Sequence, residues 1–521
     1  MSNSDLVRTS RDGDQFHYLW AARRCLQLLS PTLDLVAVTI EGPSPAETPV
    51  GNGIAAGEEI IDVGEYYGDP SLEAASRIRY VQLKHSTVRV ADAWTMSGLA
   101  GTLKGFADRY CEIVKRLGAA VIDAKIEFVF ATNRTISQDI YDAIDDAVHS
   151  RSPRDKRAFA GLAKYTGLSG QELTSFCALF HLEGEQEGFL AQRTALATDM
   201  RAYLPDVDQE ALLLLKDLVT RKATSEFTTN PTITKFDVLR VLGVEPEDLF
   251  PAENKIELPA DVVPREQEVE IGRCIVDAGA RPVIVHADGG VGKSIIAARI
   301  GLHLPAGSVA VVYDCFGNGE YRAPSHPRHG ARQALVQVVN ELAAAMHCPP
   351  LIPTARAEDT RYYRAFMDRL QQAVASIRKE HADALLCIAF DAADNAEMAA
   401  TEAGEVAAFG RRLIREAIPD GVRLVMLCRT HRRAMLSPPP GTVEFPLKPF
   451  ERSETEAKLR ATYPDCSDRD VDEFHRLSSC NPRVQTTALN SAASLSVMLR
   501  NLGPESKTVE DMIARLLQQS T

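Results

Sequence analysis

One octapeptide constrains the fold of this chain more than any other feature. Residues 287–294 read Ala-Asp-Gly-Gly-Val-Gly-Lys-Ser and fit the pattern of a phosphate-binding loop, with Ala in place of the first Gly. A β-rich apolar run, residues 282–287, precedes the octapeptide, and a helical pattern, residues 295–302, follows it. The motif therefore has the strand on one side and the helix on the other that nucleotide binding requires.

Each residue type in this loop has a chemical reason to be there. Small residues let consecutive backbone N–H groups curl around phosphate oxygens, a lysine reaches the β- and γ-phosphates, and a serine hydroxyl ligates Mg²⁺. We therefore expect ATP and Mg²⁺ to bind at Asp288, Gly289, Gly290, Val291, Gly292, Lys293 and Ser294.

Further apolar, β-rich runs follow at residues 308–314, 384–391 and 422–428, separated by helical patterns. This alternation predicts a parallel sheet with helices on both faces. Asp391 ends one run and is expected to hold Mg²⁺. Asp394, three residues later, either orients an attacking water as a general base or caps a turn together with Asn395.

Arg429 follows the last of these runs, so it is expected at the same edge of the sheet as Asp391. There it either senses the γ-phosphate or belongs to a solvated basic patch. The patch would continue through His431, Arg432 and Arg433.

The amino-terminal region has a different α/β pattern. Apolar residues recur at helical spacing between Phe16 and Leu29, and strand-like runs follow at 33–41, 59–67, 77–86 and 124–132. A Pro/Gly/Ala-rich insertion, residues 42–57, predicts a mobile loop, and residues 93–117 predict a helix.

Polar residues in these runs suggest a metal site. Asp62 is predicted in the middle of one strand, and Gln82 and Lys84 share one face of the next because strand side chains alternate. Asp62 and Gln82 could hold Mg²⁺ or Mn²⁺ while Lys84 assists an attacking water, as phosphodiester cleavage requires. Glu41, which the insertion separates from Asp62 in sequence, is expected to contribute less if the insertion has displaced its strand. The alternative is an inactive strand pair with a solvated lysine.

Composition narrows the class of protein. The 521 residues carry a formal net charge of -13, which provides no overall attraction to nucleic acid. No apolar run approaches the length of a membrane span, and the ten cysteines lack metal-binding spacing, so we expect a cytoplasmic chain with reduced thiols and no membrane partner.

The second half resembles the STAND branch of P-loop ATPases over residues 263–490. Besides the octapeptide, the resemblance rests on Pro264-Arg265-Glu266, on Phe390 to Asp394 and on Cys428-Arg429-Thr430. It implies that Arg265 lies on the adenine side of the nucleotide. Leu447 to Phe450 and Asn481-Pro482-Arg483 resemble the motifs that open and close the family's helical lid, although Cys480 stands where a Gly is usual.

The first half resembles PD-(D/E)xK nucleases, and more narrowly the double-stranded-DNA endonuclease domain of bacterial anti-phage systems. The matching segments are Gly13 to Phe16, Ile40 to Gly42, Gln82 to His85 and Ala131 to Arg134. Together the two halves resemble antiviral STAND proteins. That resemblance implies a phage-protein trigger, ATP-dependent homo-oligomerisation and cutting of double-stranded DNA, with Asp62, Gln82, Lys84 and Glu41 as catalytic residues.

We accordingly expect an α/β multidomain chain. The predicted parts are a restriction-endonuclease-like domain with a helical extension at 1–225, a linker at 226–262, a P-loop STAND core at 263–440 and a helical lid at 441–521. Only 71 residues follow Phe450 and they contain no repeat. We therefore expect either that the sequence is truncated before a C-terminal sensor, which we favour, or that a separate partner senses the trigger. Two other functions stay open: a nucleotide-gated DNA-binding scaffold without cleavage, and an ATP-driven DNA motor.

Overall fold

The computed structural model describes residues 3–47, 55–207, 209–227, 229–325, 327–491 and 494–502, with side chains from residue 11 onward. The chain divides into two compact units, Met1–Pro246 and Glu247–Thr521. Both are α/β, so the predicted fold class is confirmed at that level. No helix in the described ranges is long and apolar enough to cross a membrane.

The first unit is built on one six-stranded sheet. Its strands are β1 (Leu35–Ile40), β2 (Val63–Tyr67), β3 (Arg77–Lys84), β4 (Ile126–Thr132), β5 (Phe180–Glu183) and β6 (Thr232–Ile233). Their order is β5-β4-β3-β2-β1-β6, in which β3, β4 and β5 run parallel and the remaining pairs are antiparallel. Its helices are α1 (Asn3–Leu26), α2 (Ala100–Leu117), α3 (Ala119–Ile122), α4 (Gln138–Val148), α5 (Lys156–Thr166), α6 (Gly170–Leu179), α7 (Phe189–Arg201), α8 (Gln209–Lys222) and α9 (Lys235–Val241).

Side-chain alternation along β2 explains how helices cover both faces of this sheet. Glu65 points to the α1 face, where its carboxylate pairs with Arg24. Tyr66 points to the opposite face, and its hydroxyl donates to the buried Glu47, which also pairs with Arg109 of α2. Each face thus combines apolar packing with a buried ion pair.

Three local expectations differ from the structure of this unit. Asp62 precedes β2 and is not in mid-strand, because residues 58–60 form a short 3₁₀ turn. The insertion at 42–57 is anchored where it is described, since Glu47 is buried, while 48–54 lie outside the described residues. The predicted linker is also shorter, because β6 pairs with β1 and Leu249 and Ala252 are buried in the second unit.

The second unit has a five-stranded parallel sheet. Its strands are β7 (Val283–Ala287), β8 (Val309–Asp314), β9 (Leu386–Asp391), β10 (Val422–Arg429) and β11 (Val443–Pro446), in the order β11-β7-β10-β9-β8. Its helices are α10 (Glu266–Ala278), α11 (Lys293–Arg299), α12 (Ala331–Ala344), α13 (Asp359–Ile377), α14 (Ala393–Glu402), α15 (Phe409–Leu413), α16 (Arg452–Thr462), α17 (Asp468–Leu477), α18 (Pro482–Ser491) and α19 (Leu495–Leu502).

The strand order brings three predicted site segments to one edge. All five strands are parallel, so their carboxyl ends meet where ligands bind in open α/β sheets. The octapeptide begins at the last residue of β7, Asp391 ends β9, and Arg429 ends β10, which lies between them. Helices α16 to α19 form a separate small core around Leu459 and Phe474.

Candidate functional site

The phosphate-binding loop connects β7 to α11 through two residues in the left-handed region. Gly290 has φ 77° and Gly292 has φ 107°, conformations that cost glycine little and other residues much more. Sequence and backbone therefore agree that these two positions need glycine.

Lys293 and Ser294 are both already engaged at the base of this loop. The Lys293 ammonium donates to the carbonyl oxygens of Ala287 and Asp288, at 3.0 and 2.9 Å. Burial lowers the pKa of Lys293, and the nearby Arg429 adds to this, while Asp391 and Asp394 oppose it. The ammonium is thus held against two carbonyl oxygens of the loop, and a phosphate oxygen could replace them as its hydrogen-bond acceptor.

Asp391 has the features of a magnesium-binding carboxylate. Its Oδ2 accepts from the Ser294 hydroxyl at 2.5 Å, and its buried Oδ1 has no hydrogen-bond partner among the described residues. Burial raises the pKa of Asp391 to about 6. A hard cation with oxygen ligands fits this pair of side chains, since it would satisfy the unpaired oxygen and favour the ionised carboxylate.

Asp394 is buried and holds the end of β10. Its carboxylate accepts from the backbone N–H of Arg429 at 3.3 Å and pairs with Arg432 at 3.5 Å. Among the described residues the Arg429 guanidinium has no hydrogen-bond or ion-pair partner, whereas Arg433 pairs with Glu444. Asp394 thus positions Arg429 at the sheet edge between the ends of β7 and β9.

A cavity of about 350 Å³ opens beside the loop. Its phosphate end is formed by Lys293 and Ser294, and its other side by apolar residues that include Val262, Ile296 and Phe450. The cavity also contains residues that the sequence analysis did not single out as ligand-binding: Pro259, Asp261, Val263, Lys458 and Thr486. A nucleotide could place its phosphates at Lys293 and Ser294 and its base among the apolar lining residues.

Arg265 connects the loop to the predicted lid. Its guanidinium donates to the carbonyl oxygens of Val291, Lys448 and Pro449 and pairs with Glu454. The side chain lines the cavity, but these contacts occupy much of its hydrogen-bonding capacity. The structure therefore gives Arg265 a bridging position beside the nucleotide cavity.

The lid touches the loop at Asn481 and Arg483. The Asn481 amide donates to the Gly289 carbonyl at 2.9 Å, and the Arg483 N–H donates to the Gly290 carbonyl at 3.2 Å. A Cβ on Gly290 would lie 2.7 Å from the Asn481 Oδ1. Cys480, at the position where a Gly is usual, has φ 58° and so adopts the conformation that favours glycine.

In the first unit, Glu41 and Asp62 lie side by side at one end of the β1–β2 pair. The Glu41 N–H donates to the Asp62 carbonyl at 2.9 Å, which continues the antiparallel pairing beyond both strands. Glu41 has φ 56°, a strained conformation for a residue with a side chain. The insertion between Glu41 and Asp62 has therefore not displaced Glu41 from Asp62.

His17 of α1 completes a cluster with these two carboxylates. One ligand atom from each of His17, Glu41 and Asp62 lies within 4.8 Å of the others. Partial desolvation and the Asp62 and Asp14 charges raise the pKa of Glu41 to about 7, and burial raises that of Asp62. Two carboxylates with raised pKa values and an imidazole fit a divalent cation, which would favour their ionised forms.

Lys84 and Gln82 occupy the adjoining strand. Lys84 is close enough to the cluster to oppose the raised pKa values of Glu41 and Asp62, and the Asp62 Oδ2 accepts from the Leu83 N–H at 2.6 Å. Gln82 is buried, and its amide oxygen accepts from the Thr102 hydroxyl of α2. That oxygen has a second lone pair, so a metal contact requires it to serve both partners.

Comparisons with known proteins find similarity in structure only. No family model and no curated protein matches the chain. Similar solved structures include a Walker-type ATPase of Pyrococcus abyssi, 13% identical, covering 50% of this chain and 71% of that one with a TM-score of 0.33. A STAND protein with a tetratricopeptide repeat sensor from Pyrococcus horikoshii is 13% identical, covering 52% and 34% with a TM-score of 0.28.

A third similar structure is a Cap4 SAVED/CARF-domain receptor of Acinetobacter baumannii with the cyclic trinucleotide 3'3'3'-cAAA. It is 10% identical and covers 73% of this chain and 90% of that one, with a TM-score of 0.27. This chain spans about a third of the Pyrococcus horikoshii protein. TM-scores of this size leave the assignment of function to the residues of this chain.

Proposed function

We propose that this chain is an ATP-dependent STAND switch of bacterial anti-phage defence. On sensing a phage-protein trigger it binds ATP, assembles into a homo-oligomer and activates a metal-dependent endonuclease in its first unit. The single observation that supports this most strongly is the hydrogen bond from the Ser294 hydroxyl to Asp391, because Ser294 lines the cavity together with Lys293.

The nucleotide site works by position and charge. Backbone N–H groups of the loop and the Lys293 ammonium neutralise the β- and γ-phosphates, and bound Mg²⁺ would supply further positive charge there. Ser294 and Asp391 would hold that ion. Arg429, held by Asp394 at the end of β10, would report whether a γ-phosphate is present.

The lid would couple nucleotide binding to a change in conformation. Asn481 and Arg483 bond to the carbonyls of Gly289 and Gly290, so the lid and loop share one closed arrangement. A ligand shifts such an arrangement only if it binds the closed and open forms differently. We propose that the γ-phosphate provides that difference through Arg429 and the loop.

The first unit carries the chemistry of phosphodiester hydrolysis. Glu41 and Asp62 would bind a divalent cation, which supplies an activated water and neutralises charge on the scissile phosphate. Lys84 would assist deprotonation of the water and stabilise the negative charge that develops in the transition state. Gln82 would add its amide oxygen to this ligand set while still accepting from the Thr102 hydroxyl.

Self-association would make cutting depend on the switch. A chain of net charge -13 has little long-range attraction for DNA. In an oligomer, several first units would lie close to the same DNA duplex, which raises their effective concentration there. Weak binding of each unit to DNA would then add up to stable binding of the oligomer.

The test is nicking of supercoiled plasmid with Mg²⁺ or Mn²⁺, with and without ATP, at rising protein concentration and with extract from phage-infected cells as the source of trigger. We expect metal-dependent nicking that ATP stimulates. Binding of plasmid without nicking would favour the DNA-binding scaffold, and ATP turnover that any duplex accelerates would favour the motor.

A further inference from the structure

We propose that His17 is a metal ligand of the first unit and that it makes this site prefer Mn²⁺ over Mg²⁺. This inference rests on the proposed nuclease function and deepens it by assigning the metal class. It is carried by the cluster in which a His17 nitrogen lies within 4.8 Å of oxygens from Glu41 and Asp62.

The spacing of the three ligand atoms allows them to converge on one ion. Donor atoms about 2.1 Å from a single octahedral cation lie about 3 Å apart when adjacent and about 4.2 Å apart when opposite. Atoms within 4.8 Å of one another therefore need to approach by at most about 1.8 Å to reach this geometry. His17 is partly exposed and Glu41 is exposed, so their side chains have room to rotate towards a shared ion.

The helix that carries His17 is firmly placed. Its neighbour Phe16 is fully buried and stacks on His85 at 4.9 Å between ring centroids. About two turns further on, Arg24 pairs with the buried Glu65 of β2. With anchors on both sides, the His17 backbone is fixed beside Asp62, so the imidazole stays near the carboxylates.

The donor set decides the metal class. Carboxylate oxygens suit Mg²⁺ and Mn²⁺ alike, whereas an imidazole nitrogen suits transition metals and is a poor ligand for Mg²⁺. Replacing one oxygen of an all-oxygen site by His17 therefore shifts preference towards Mn²⁺. The all-oxygen set expected from the sequence, Asp62 with the Gln82 amide, has no such bias.

The experiment is Mn²⁺ binding by nucleotide-free full-length protein, followed by electron paramagnetic resonance. Wild-type protein is expected to show nitrogen hyperfine coupling to bound Mn²⁺ in pulsed spectra. His17→Gln should remove that coupling and weaken Mn²⁺ binding by about 10–100-fold, at least the cost of losing a ligand's supporting partner. The Mg²⁺ affinity, measured by competition, should change much less.

Two further variants sharpen the result. His181→Gln removes an exposed imidazole on β5, outside the cluster, and should keep both the coupling and the affinity. His17→Asp exchanges the nitrogen for an oxygen and should improve Mg²⁺ binding relative to Mn²⁺ without nitrogen coupling. Wild-type spectra without nitrogen coupling, or unchanged Mn²⁺ affinity in His17→Gln, would overturn the proposal.

These experiments distinguish failure of the His17 ligand assignment from failure of the proposed nuclease activity. If Mn²⁺ binds through His17 but wild-type protein never cuts DNA, the nuclease proposal fails and the ligand assignment stands. If wild-type protein cuts DNA and Asp62→Asn does not, while His17→Gln keeps the wild-type metal preference, only the His17 proposal fails.

Discussion

Lys293 is the only side-chain cation in the octapeptide, and it faces the point where the phosphates of ATP would lie. Lys293→Ala should weaken ATP binding by about 10–100-fold, because hydrogen bonds to charged groups are worth about 1.5–3 kcal/mol. Titration with a fluorescent ATP analogue measures this directly. The exposed Lys379 provides a matched control as Lys379→Ala, and wild-type affinity in Lys293→Ala would remove the loop from the nucleotide site.

Glu41 and Asp62 are neighbours in one cluster, so the structure predicts that they matter equally. Glu41→Gln and Asp62→Asn should each abolish plasmid nicking, because either change removes a charged metal ligand. Glu59→Gln alters an exposed carboxylate outside the cluster and should be silent. Substantial nicking by Glu41→Gln alone would restore the lesser role that the sequence suggested.

The sequence predicted some members of this cluster and missed another, for a physical reason. Asp62 and Lys84 could be found because each lies within a strand-like apolar run that the local sequence pattern reveals. His17 lies within an amphipathic helix, where a histidine also suits a solvated face. Its importance arises only when α1 packs beside Asp62, a contact between distant residues that periodicity cannot reveal.

At the scale of elements, Glu65 ties α1 to the sheet. Its buried carboxylate pairs with Arg24 at 2.5 Å and with Arg79 at 3.0 Å. Burial opposes its charge, but the two arginines outweigh this and lower the pKa of Glu65. Glu65→Gln should destabilise the first unit by about 3–5 kcal/mol, since it leaves two arginines without their buried partner.

The sign of the pH dependence follows from that lowered pKa. Stability from Glu65 is present above its unfolded pKa, about 4.3, and is lost as the pH falls through the lower folded value. The hydrogen-exchange protection factors of β2 and β3, which correct for the pH dependence of the intrinsic exchange rate, should therefore fall for wild-type protein as the pH drops below about 4. Glu65→Gln should have low protection factors already at neutral pH and depend less on acid; equal acid sensitivity would contradict this role.

The lid contact at Asn481 can be tested apart from helix stability. The Asn481 Oδ1 caps α18 by accepting from the Arg483 N–H at 3.0 Å, while its amide donates to the Gly289 carbonyl. Asn481→Ser keeps a cap but is too short to reach the loop. We expect nucleotide to dissociate roughly fivefold faster, because a hydrogen bond contributes about 1 kcal/mol.

Stopped-flow release of a fluorescent nucleotide measures the effect of Asn481→Ser. Thr487→Ala, on the exposed side of the same helix, is the control. Unchanged release in Asn481→Ser would mean that the lid does not retain nucleotide through this residue.

The sequence predicted the elements with long apolar runs, including the four strands β7 to β10, but it missed β5, β6 and β11. These three have four, two and four residues. Strands this short lie at sheet edges and form because a neighbour offers a free edge, so their own sequence contains little periodicity. β6 and β11 also follow prolines, which favoured a linker or a loop.

At the scale of the whole molecule, the proposal requires ATP to change the state of association. Arg429 is positioned to contact a γ-phosphate, so ATP and ADP should differ in effect. Sedimentation velocity should show larger particles with ATP and trigger than with ADP. Arg429→Ala protein should bind ATP but should not form the larger particles. If that variant assembles to the same particle size as wild-type protein, Arg429 does not sense the γ-phosphate.

The central claim is that ATP binding in one unit controls metal-dependent DNA cutting in the other. Plasmid nicking by wild-type, Lys293→Ala and Asp62→Asn proteins tests it, with Mn²⁺ and ATP, over rising concentration and with extract from phage-infected cells as the source of trigger. For wild-type protein we predict nicking that rises more steeply than in proportion to protein concentration. Neither variant should nick the plasmid. Of the two variants, Asp62→Asn should still bind ATP and Lys293→Ala should not. Equal nicking by wild-type and Asp62→Asn proteins, or no nicking by wild-type protein under any of these conditions, would contradict the account.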